Sequence, residues 1–403
     1  MTNTIAAIDV HKKVLMVVTG PLGEEAGDSH RFQTTRDQLE RLAQWLHSRG
    51  VQEVVMESTA QYWKPVWQAL EPDFRLHLAQ AQSNRAPRGR KHDFGDARRL
   101  LRRMVAGELI LSFVPQPEQR SWRTTTRMRQ QLIRDRVRLQ AQIEALLEEA
   151  AIKLSSVLSD LLSLSGRRIL QAIAAGQTDP ATLAELGDRR LRCGREQLEQ
   201  ALDGRVTPLH QQLLALYLER LAMLDRHLEQ LEQLASQAMQ AQRDAILRLA
   251  EVPGLGLESA RQIVAEVGAT AETFPSPDRL ASWTGICPGR AESAGVSRSA
   301  RSAKGNRHFR RVLVQAAQAA SKTKGSYLQT VFRRLLPRLG FAKAMWALAH
   351  RLCRLIWKLL HHRVRYLEHG LITDPRTRKH LASKHLRALS RLGFQVHISE
   401  PAV

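Results

Sequence analysis

Cysteine is scarce. The chain has three in 403 residues, Cys193, Cys287 and Cys353, and none stands near another. That spacing excludes a disulfide framework and the paired ligands of a zinc site, and it suits a reducing, cytoplasmic compartment. No run of about 18 uncharged apolar residues occurs, so no transmembrane span is expected. The opening MTNTIAAIDVHKK has neither the basic start nor the apolar stretch and cleavage site of a secretory signal. Acid is scarce at one end only: residues 290–403 carry 4 Asp+Glu against 24 Lys+Arg.

What is present is an ordinary globular composition, 43% hydrophobic and 25% charged, which excludes wholesale disorder. The net charge of +22 is unevenly placed: −2 over residues 1–80, +8 over 81–135, −4 over 136–289 and +20 over 290–403. A near-neutral body with two basic blocks points to nucleic acid, because clustered Lys and Arg displace counterions from phosphates. Arg88 and Arg90 belong to the first block.

Periodicity divides the chain further. TIAAIDV and KVLMVVTG read as a strand hairpin, HRFQTT as a third strand, and RDQLERLAQWLHSRG as a helix with Leu39, Leu42, Ala43 and Leu46 on one face. VQEVVMES, YWKPVWQALE and RLHLAQ continue as strand, helix and strand. This order matches an RNase H-like (RuvC-like) α/β fold over residues 1–115. Residues 118–155 read as a long helix with Leu132, Leu139 and Leu146 seven apart. A second covers about 208–248, where Leu214, Leu221, Leu228 and Ala235 alternate with Tyr217, Leu224, Leu231 and Ala238. That is coiled-coil spacing, and it suits equally two helices of one chain or a dimer-forming stalk over residues 116–248. At 249–268, LAEVPGLGLESARQIVAEVG resembles a helix-hairpin-helix. Gly254 and Gly256 allow its tight turn, and free amides at a helix start suit a phosphate. A mainly helical region with this element follows to about residue 330, and a basic helical tail covers 331–403.

Four acids stand out within the α/β order. Asp9 ends the first strand, Glu57 ends the strand VVME, and Asp93 and Asp96 lie three apart where KHDFGDARRLLRRM begins a helix. Carboxylates are the ligands Mg²⁺ prefers, and phosphoryl-transfer enzymes use that ion to stabilise attacking and leaving oxygens.

The segments AAIDVHKK, VVMESTAQYWKPV, KHDFGDARRL, the VPGLG region and WTGICPGRAESAGVSRSARSAKGNRHFRRVL, in that order, resemble insertion-sequence transposases of the one-hundred-ten family, relatives of Piv-type DNA invertases. The resemblance implies a DEDD acidic set of Asp9, Glu57, Asp93 and Asp96 holding Mg²⁺, a coiled-coil stalk, and a C-terminal domain with a nucleophilic serine. It also implies a homo-oligomer (dimer or tetramer) that uses a structured bridge RNA to select donor and target DNA, in the cytoplasm of a prokaryote at its nucleoid. The family's serine follows a W-x-G-hydrophobic-x-P segment. Here Trp283, Gly285, Ile286 and Pro288 precede Ser293, and Ser293-Ala294-Gly295 stands where relatives often have Ser-Gly. Ser297, Ser299 and Ser302 are near competitors, so the assignment to Ser293 rests on its distance from Pro288.

No Ser-His-Asp grouping is evident, since His308 lies fifteen residues downstream of Ser293. Arg298, Arg301, Lys304, Arg307, Arg310 and Arg311 supply phosphate-binding charge nearby, and Asn306 in the K-G-N turn suits a helix cap. The expected function is therefore site-specific DNA recombination through a phosphoserine link. The rivals are a metal-dependent junction-resolving nuclease, in which water replaces the serine, and a non-catalytic nucleic-acid-binding protein.

Overall fold

The computed structural model describes residues 4–21, 27–57, 60–84, 94–289, 291–293, 296–299, 302 and 304–368, with a few positions between 383 and 390. The chain divides into two units, Met1–Gln116 and Pro117–Val403.

The first unit runs β1 (Thr4–Val10), β2 (Val14–Pro21), β3 (Ser29–Gln33), α1 (Arg36–Ser48), β4 (Val51–Glu57), α2 (Trp63–Leu70), β5 (Arg75–Ala79), a 3-10 turn (Ala81–Asn84), α3 (Gly95–Val105) and β6 (Leu111–Ser112). The strands form one sheet in the order β3-β2-β1-β4-β5-β6. β1 pairs antiparallel with β2 and parallel with β4, β4 pairs parallel with β5, and the short β6 closes the edge antiparallel to β5. This mixed sheet with helices is consistent with an RNase H-like fold.

Side chains alternate across a strand, so parity assigns the faces. Ala6, Ile8 and Val10 of β1, with Val54 and Met56 of β4, are buried against Leu39, Leu42 and Leu46 of α1 and Val66 and Leu70 of α2. The intervening Ile5, Ala7 and Val55 are buried against Ala97, Leu100 and Leu101 of α3. Each fully buried leucine of this kind contributes about 1.5–3 kcal/mol. The same parity places Asp9 and Glu57 on the α3 face.

The second unit is mostly helical. α4 (Pro117–Glu149) is followed by α5 (Leu154–Val157), α6 (Leu164–Ala174), α7 (Pro180–Glu185), α8 (Arg195–Leu202) and α9 (Pro208–Ala238). The starts of α6, α7 and α9 are written locally: Ser163, Asp179 and Thr207 each accept a hydrogen bond from a first-turn amide, and proline opens α7 and α9. α4 and α9 pack antiparallel, as the ion pairs Arg129–Glu232 (3.2 Å) and Arg136–Asp225 (2.9 Å) require. Leu139, Ile143 and Leu146 meet Leu214, Leu221 and Leu224 in a core shared with α6, α7 and α8. These heptad residues are thus buried within a single chain. The second long helix ends at Ala238, earlier than its spacing suggests. Met239 turns into the core, 1% exposed, and Trp122 Nε1 donates to the Ala238 carbonyl.

Next come α10 (Arg243–Ala250), α11 (Leu257–Val267), α12 (Pro277–Thr284), the hairpin β7 (Ala291–Ser293) and β8 (Val296–Ser299), α13 (Arg307–Lys322) and α14 (Tyr327–His361). α14 is interrupted at Gly340, whose φ is 71°. Its residues Leu348, Leu352 and Ile356 are fully buried, so it belongs to the core of this unit. Trp357 is buried too, its Nε1 donating to the Phe274 carbonyl (2.8 Å). Among the described residues no helix is long and apolar enough to cross a membrane.

Candidate active site

Asp9 and Glu57 come from adjacent parallel strands. Ile8 pairs with Met56, so the next residue on each strand carries its carboxylate to the carboxyl end of the sheet, where α/β folds gather their ligands. Asp96 lies in the first turn of α3, and that helix packs on the face to which Asp9 and Glu57 belong. The acids of β1, β4 and α3 are close enough to repel one another. Burial and then the Asp96 charge raise the Asp9 pKa against an opposing His11, and burial with the charges of Asp9 and Asp96 raises that of Glu57 against a hydrogen bond from Asn84. Asp93, Arg88, Arg90 and Arg301 lie outside the described residues.

Each described acid has a partner. His11 Nε2 is 3.1 Å from Asp9 Oδ2, Arg99 Nη2 donates to Asp96 Oδ1 (2.5 Å), and Asn84 Nδ2 donates to Glu57 Oε2 (2.8 Å). Among the described residues no three His, Cys, Asp or Glu side chains form a ready cation site. Two observations nevertheless fit a divalent cation here. The carboxylates are pushed toward protonation by burial and by each other, which a cation would reverse. Asn84, only 3% exposed, leaves its Oδ1 buried beside Glu57 with no hydrogen-bond partner among the described residues. Nothing in the sequence singles out Asn84 or Arg99. A lone asparagine in a polar stretch has no periodic signal, and Arg99 looks like one of four arginines on a basic helix.

In the second unit Ser293 ends β7, paired with Val296 of β8. The rival Ser297 and Ser299 lie on β8, and Ser302 follows it. The W-x-G segment precedes this hairpin in the chain. Trp283 packs beside Phe274 (5.0 Å between ring centroids), with the Arg123 guanidinium 5.8 Å from its ring. Gly285 caps α12 in the left-handed region (φ 72°), and Ile286 is fully buried. The other end of the segment returns to the same place, where the Asn306 amide donates to the Trp283 carbonyl (3.1 Å). A Cβ on Gly305 would lie 2.4 Å from the Thr284 carbonyl carbon, so only glycine passes there.

Asn306 caps α13 as expected, accepting from the His308 and Phe309 amides. It also donates from Nδ2 to Glu266 Oε2 (2.8 Å). Glu266 is 2% exposed and accepts two bonds from Arg127 (2.7 and 2.8 Å), with Arg123 Nε 3.5 Å away. Burial opposes its charge, but Arg127, Arg123 and Asn306 outweigh that and hold its pKa below the ordinary value. His308 is held at about 4 by burial and by Arg127, so it is neutral at physiological pH.

Lys304 and Arg307 are exposed at this turn, Arg310 Nη1 donates to the Gly285 carbonyl (3.4 Å), and Arg311 Nη2 donates to Gln262 (2.9 Å). Arg298 lies on β8. The two glycines of the proposed hairpin motif differ. Gly254 has φ 89°, and a Cβ there would lie 2.4 Å from the Ala316 carbonyl oxygen of α13, so its small size serves helix packing. Gly256 is the N-cap of α11, and its added Cβ would meet nothing within 4 Å.

A family model described as a transposase of the IS110 DEDD type matches residues 6–152. A second, described as "Transposase IS116/IS110/IS902 family", matches residues 247–333. The first span contains Asp9, Glu57, Asp93 and Asp96, and the second contains Ser293. No curated protein matches the chain.

Proposed function

Since the chain belongs to the IS110 family of transposases, we propose that it cuts and exchanges DNA strands with Ser293 as nucleophile and Asp9, Glu57, Asp93 and Asp96 as the acids that hold Mg²⁺. The observation that carries the metal part is the gathering of Asp9, Glu57 and Asp96, with buried Asn84 bonded to Glu57 and its Oδ1 without a partner among the described residues. Mg²⁺, when bound, supplies positive charge against the oxygens that exchange at phosphorus. In the covalent step the Ser293 Oγ–phosphorus bond forms and the bond from phosphorus to a deoxyribose oxygen breaks. The serine proton ends on that leaving oxygen. Strand exchange reverses the step with a different deoxyribose oxygen.

The chain on either side of the hairpin is tied together, the Asn306 amide donating to the Trp283 carbonyl and Gly305 passing close against Thr284, which supports a fixed position for the segment that carries Ser293. The neutral His308, turned toward Arg127 and Glu266, gives no support to a hydrolase triad. Exposed Lys304 and Arg307, with Arg298, Arg301, Arg310 and Arg311, supply charge for the phosphates around the serine. Arg88, Arg90 and the amides at Gly254 and Gly256 are further contacts proposed for nucleic acid. The +20 carried by residues 290–403 leaves room for two polyanions, the DNA and a structured guide RNA. The protein acts in this reading as a homo-oligomer.

The test is incubation of the full-length protein, any copurifying RNA and labelled element-end DNA with Mg²⁺, followed by denaturing gels. A protein–DNA adduct is expected in the wild type and absent in Ser293→Ala. Cleavage without an adduct identifies the junction-resolving nuclease instead, and an adduct that survives Ser293→Ala moves the nucleophile to another serine.

A further inference from the structure

Among the described residues, Asn84 is the buried side chain near the acids that is left with an unpartnered polar atom, and nothing in the acid motif names it. It ends the 3-10 turn Ala81–Asn84, directly after β5. Two arginines one turn apart on α3 hold this turn in place: Arg99 Nε donates to the Asn84 carbonyl (3.2 Å) and Arg103 donates to that of Ser83. Arg99 also binds Asp96, so one guanidinium ties the backbone of Asn84 to the acid of α3. The side chain of Asn84 in turn donates to Glu57, the acid of β4.

An amide has a donor end and an acceptor end. Here the donor end is used, while Oδ1 is buried with no partner among the described residues. A buried carbonyl oxygen is normally hydrogen-bonded, and an exception calls for a partner, a water or an ion, that completes it. The amide oxygen is a hard, neutral donor atom of the kind that joins carboxylates around Mg²⁺. It adds an oxygen without adding charge to acids that already repel each other.

We propose that Asn84 is a further member of the acidic site: its Nδ2 fixes the Glu57 carboxylate, and its Oδ1 is an oxygen reserved for the divalent cation. The proposal rests on reading the acids as a cation site. The sequence places Asn84 twenty-seven residues from Glu57, so only the return of the chain after β5 brings them together.

Binding of Mn²⁺ to the full-length, nucleic-acid-free protein, followed by electron paramagnetic resonance, tests this without using catalysis. Asn84→Leu keeps the forked outline of the side chain and removes the oxygen, and it should lose about tenfold or more in affinity, as supporting residues of metal sites do. Asn84→Asp keeps an oxygen in place and should stay within about threefold of the wild type. Glu57→Gln is the control. If Glu57→Gln weakens Mn²⁺ binding while Asn84→Leu binds like the wild type, the role of Asn84 is overturned and the acidic site stands. If Asn84→Asp falls as far as Asn84→Leu, the oxygen is not what matters and the proposal also fails. Wild-type binding by Glu57→Gln sinks the cation site itself.

Discussion

Asp9 sits under opposed demands. Its strand needs an apolar core, since Ile5 and Ala7 on the same face are buried, yet the position carries a carboxylate. Burial and the charge of Asp96 raise its pKa, and burial with the other acids does the same for Glu57. A raised pKa means that the folded state binds the proton more tightly than the unfolded chain. The stability that these groups contribute is therefore fully present below the ordinary carboxylate range near pH 4 and is lost as pH rises through the raised values. We expect Asp9→Asn to melt at a higher temperature than the wild type at neutral pH without divalent cation, the gap closing as pH falls. Mg²⁺ should raise the melting temperature of the wild type and leave Asp9→Asn nearly unchanged. Thermal melts over pH, with and without Mg²⁺, check both; a gap that is constant over pH would remove the electrostatic explanation.

At the scale of elements, one buried carboxylate joins three helices. Glu266 belongs to α11, Arg123 and Arg127 to α4, and Asn306 opens α13, the helix that follows the serine hairpin. Glu266→Ala leaves both guanidinium groups without their buried counter-charge and should cost about 3–5 kcal/mol in chemical denaturation. Asn306→Ala, which loses the cap of α13, should cost about 1–2 kcal/mol. Equal, small losses from the two would mean that solvent reaches the network. A different prediction concerns α9. Its heptad seam is occupied by α4, but Leu209, Leu216 and Met223, seven apart, and Leu234 remain 40–60% exposed. A second copy of this chain is the proposed cover for that stripe. Leu216→Glu combined with Met223→Glu should shift sedimentation toward smaller species while leaving the helix content unchanged. An unchanged distribution would place self-association elsewhere.

At the scale of the whole chain, charge governs. Residues 290–403 carry a net +20, but α14 is part of the core of its unit, so cutting near residue 330 would unfold rather than merely discharge it. The informative truncation removes 369–403, which takes away 6 Lys+Arg and 2 Asp+Glu. The slope of log affinity against log salt should flatten by about 0.9 for each duplex phosphate that the shortened chain no longer neutralises, and by about 0.7 for each phosphate of a single strand. The double substitution Lys304→Ala, Arg307→Ala should flatten it further at the serine hairpin. Filter binding over a salt series measures both, and identical slopes would show that these cations do not meet phosphate.

Local repetition along the chain determines much of this protein. Alternation placed Asp9 and Glu57 at strand ends, 3.6-residue spacing marked α1 and most of α4 and α9, and the basic blocks were a matter of composition. Capping at Asn306 was equally local. These features depend on residues within a turn or a strand of each other, where covalent geometry alone sets the neighbours. The tertiary structure decided which element each surface meets. Heptad spacing could not say whose helix fills the seam; the antiparallel pairing of α4 with α9 did. The glycines of VPGLG suggested a phosphate turn, and the approach of α13 gives Gly254 a packing role beside it. Glu266 lies 139 residues from Arg127, and Asn84 lies 27 from Glu57. Such partners share no periodicity. A buried polar group must find one wherever the folded chain brings a complementary atom, and only the whole fold determines where that is.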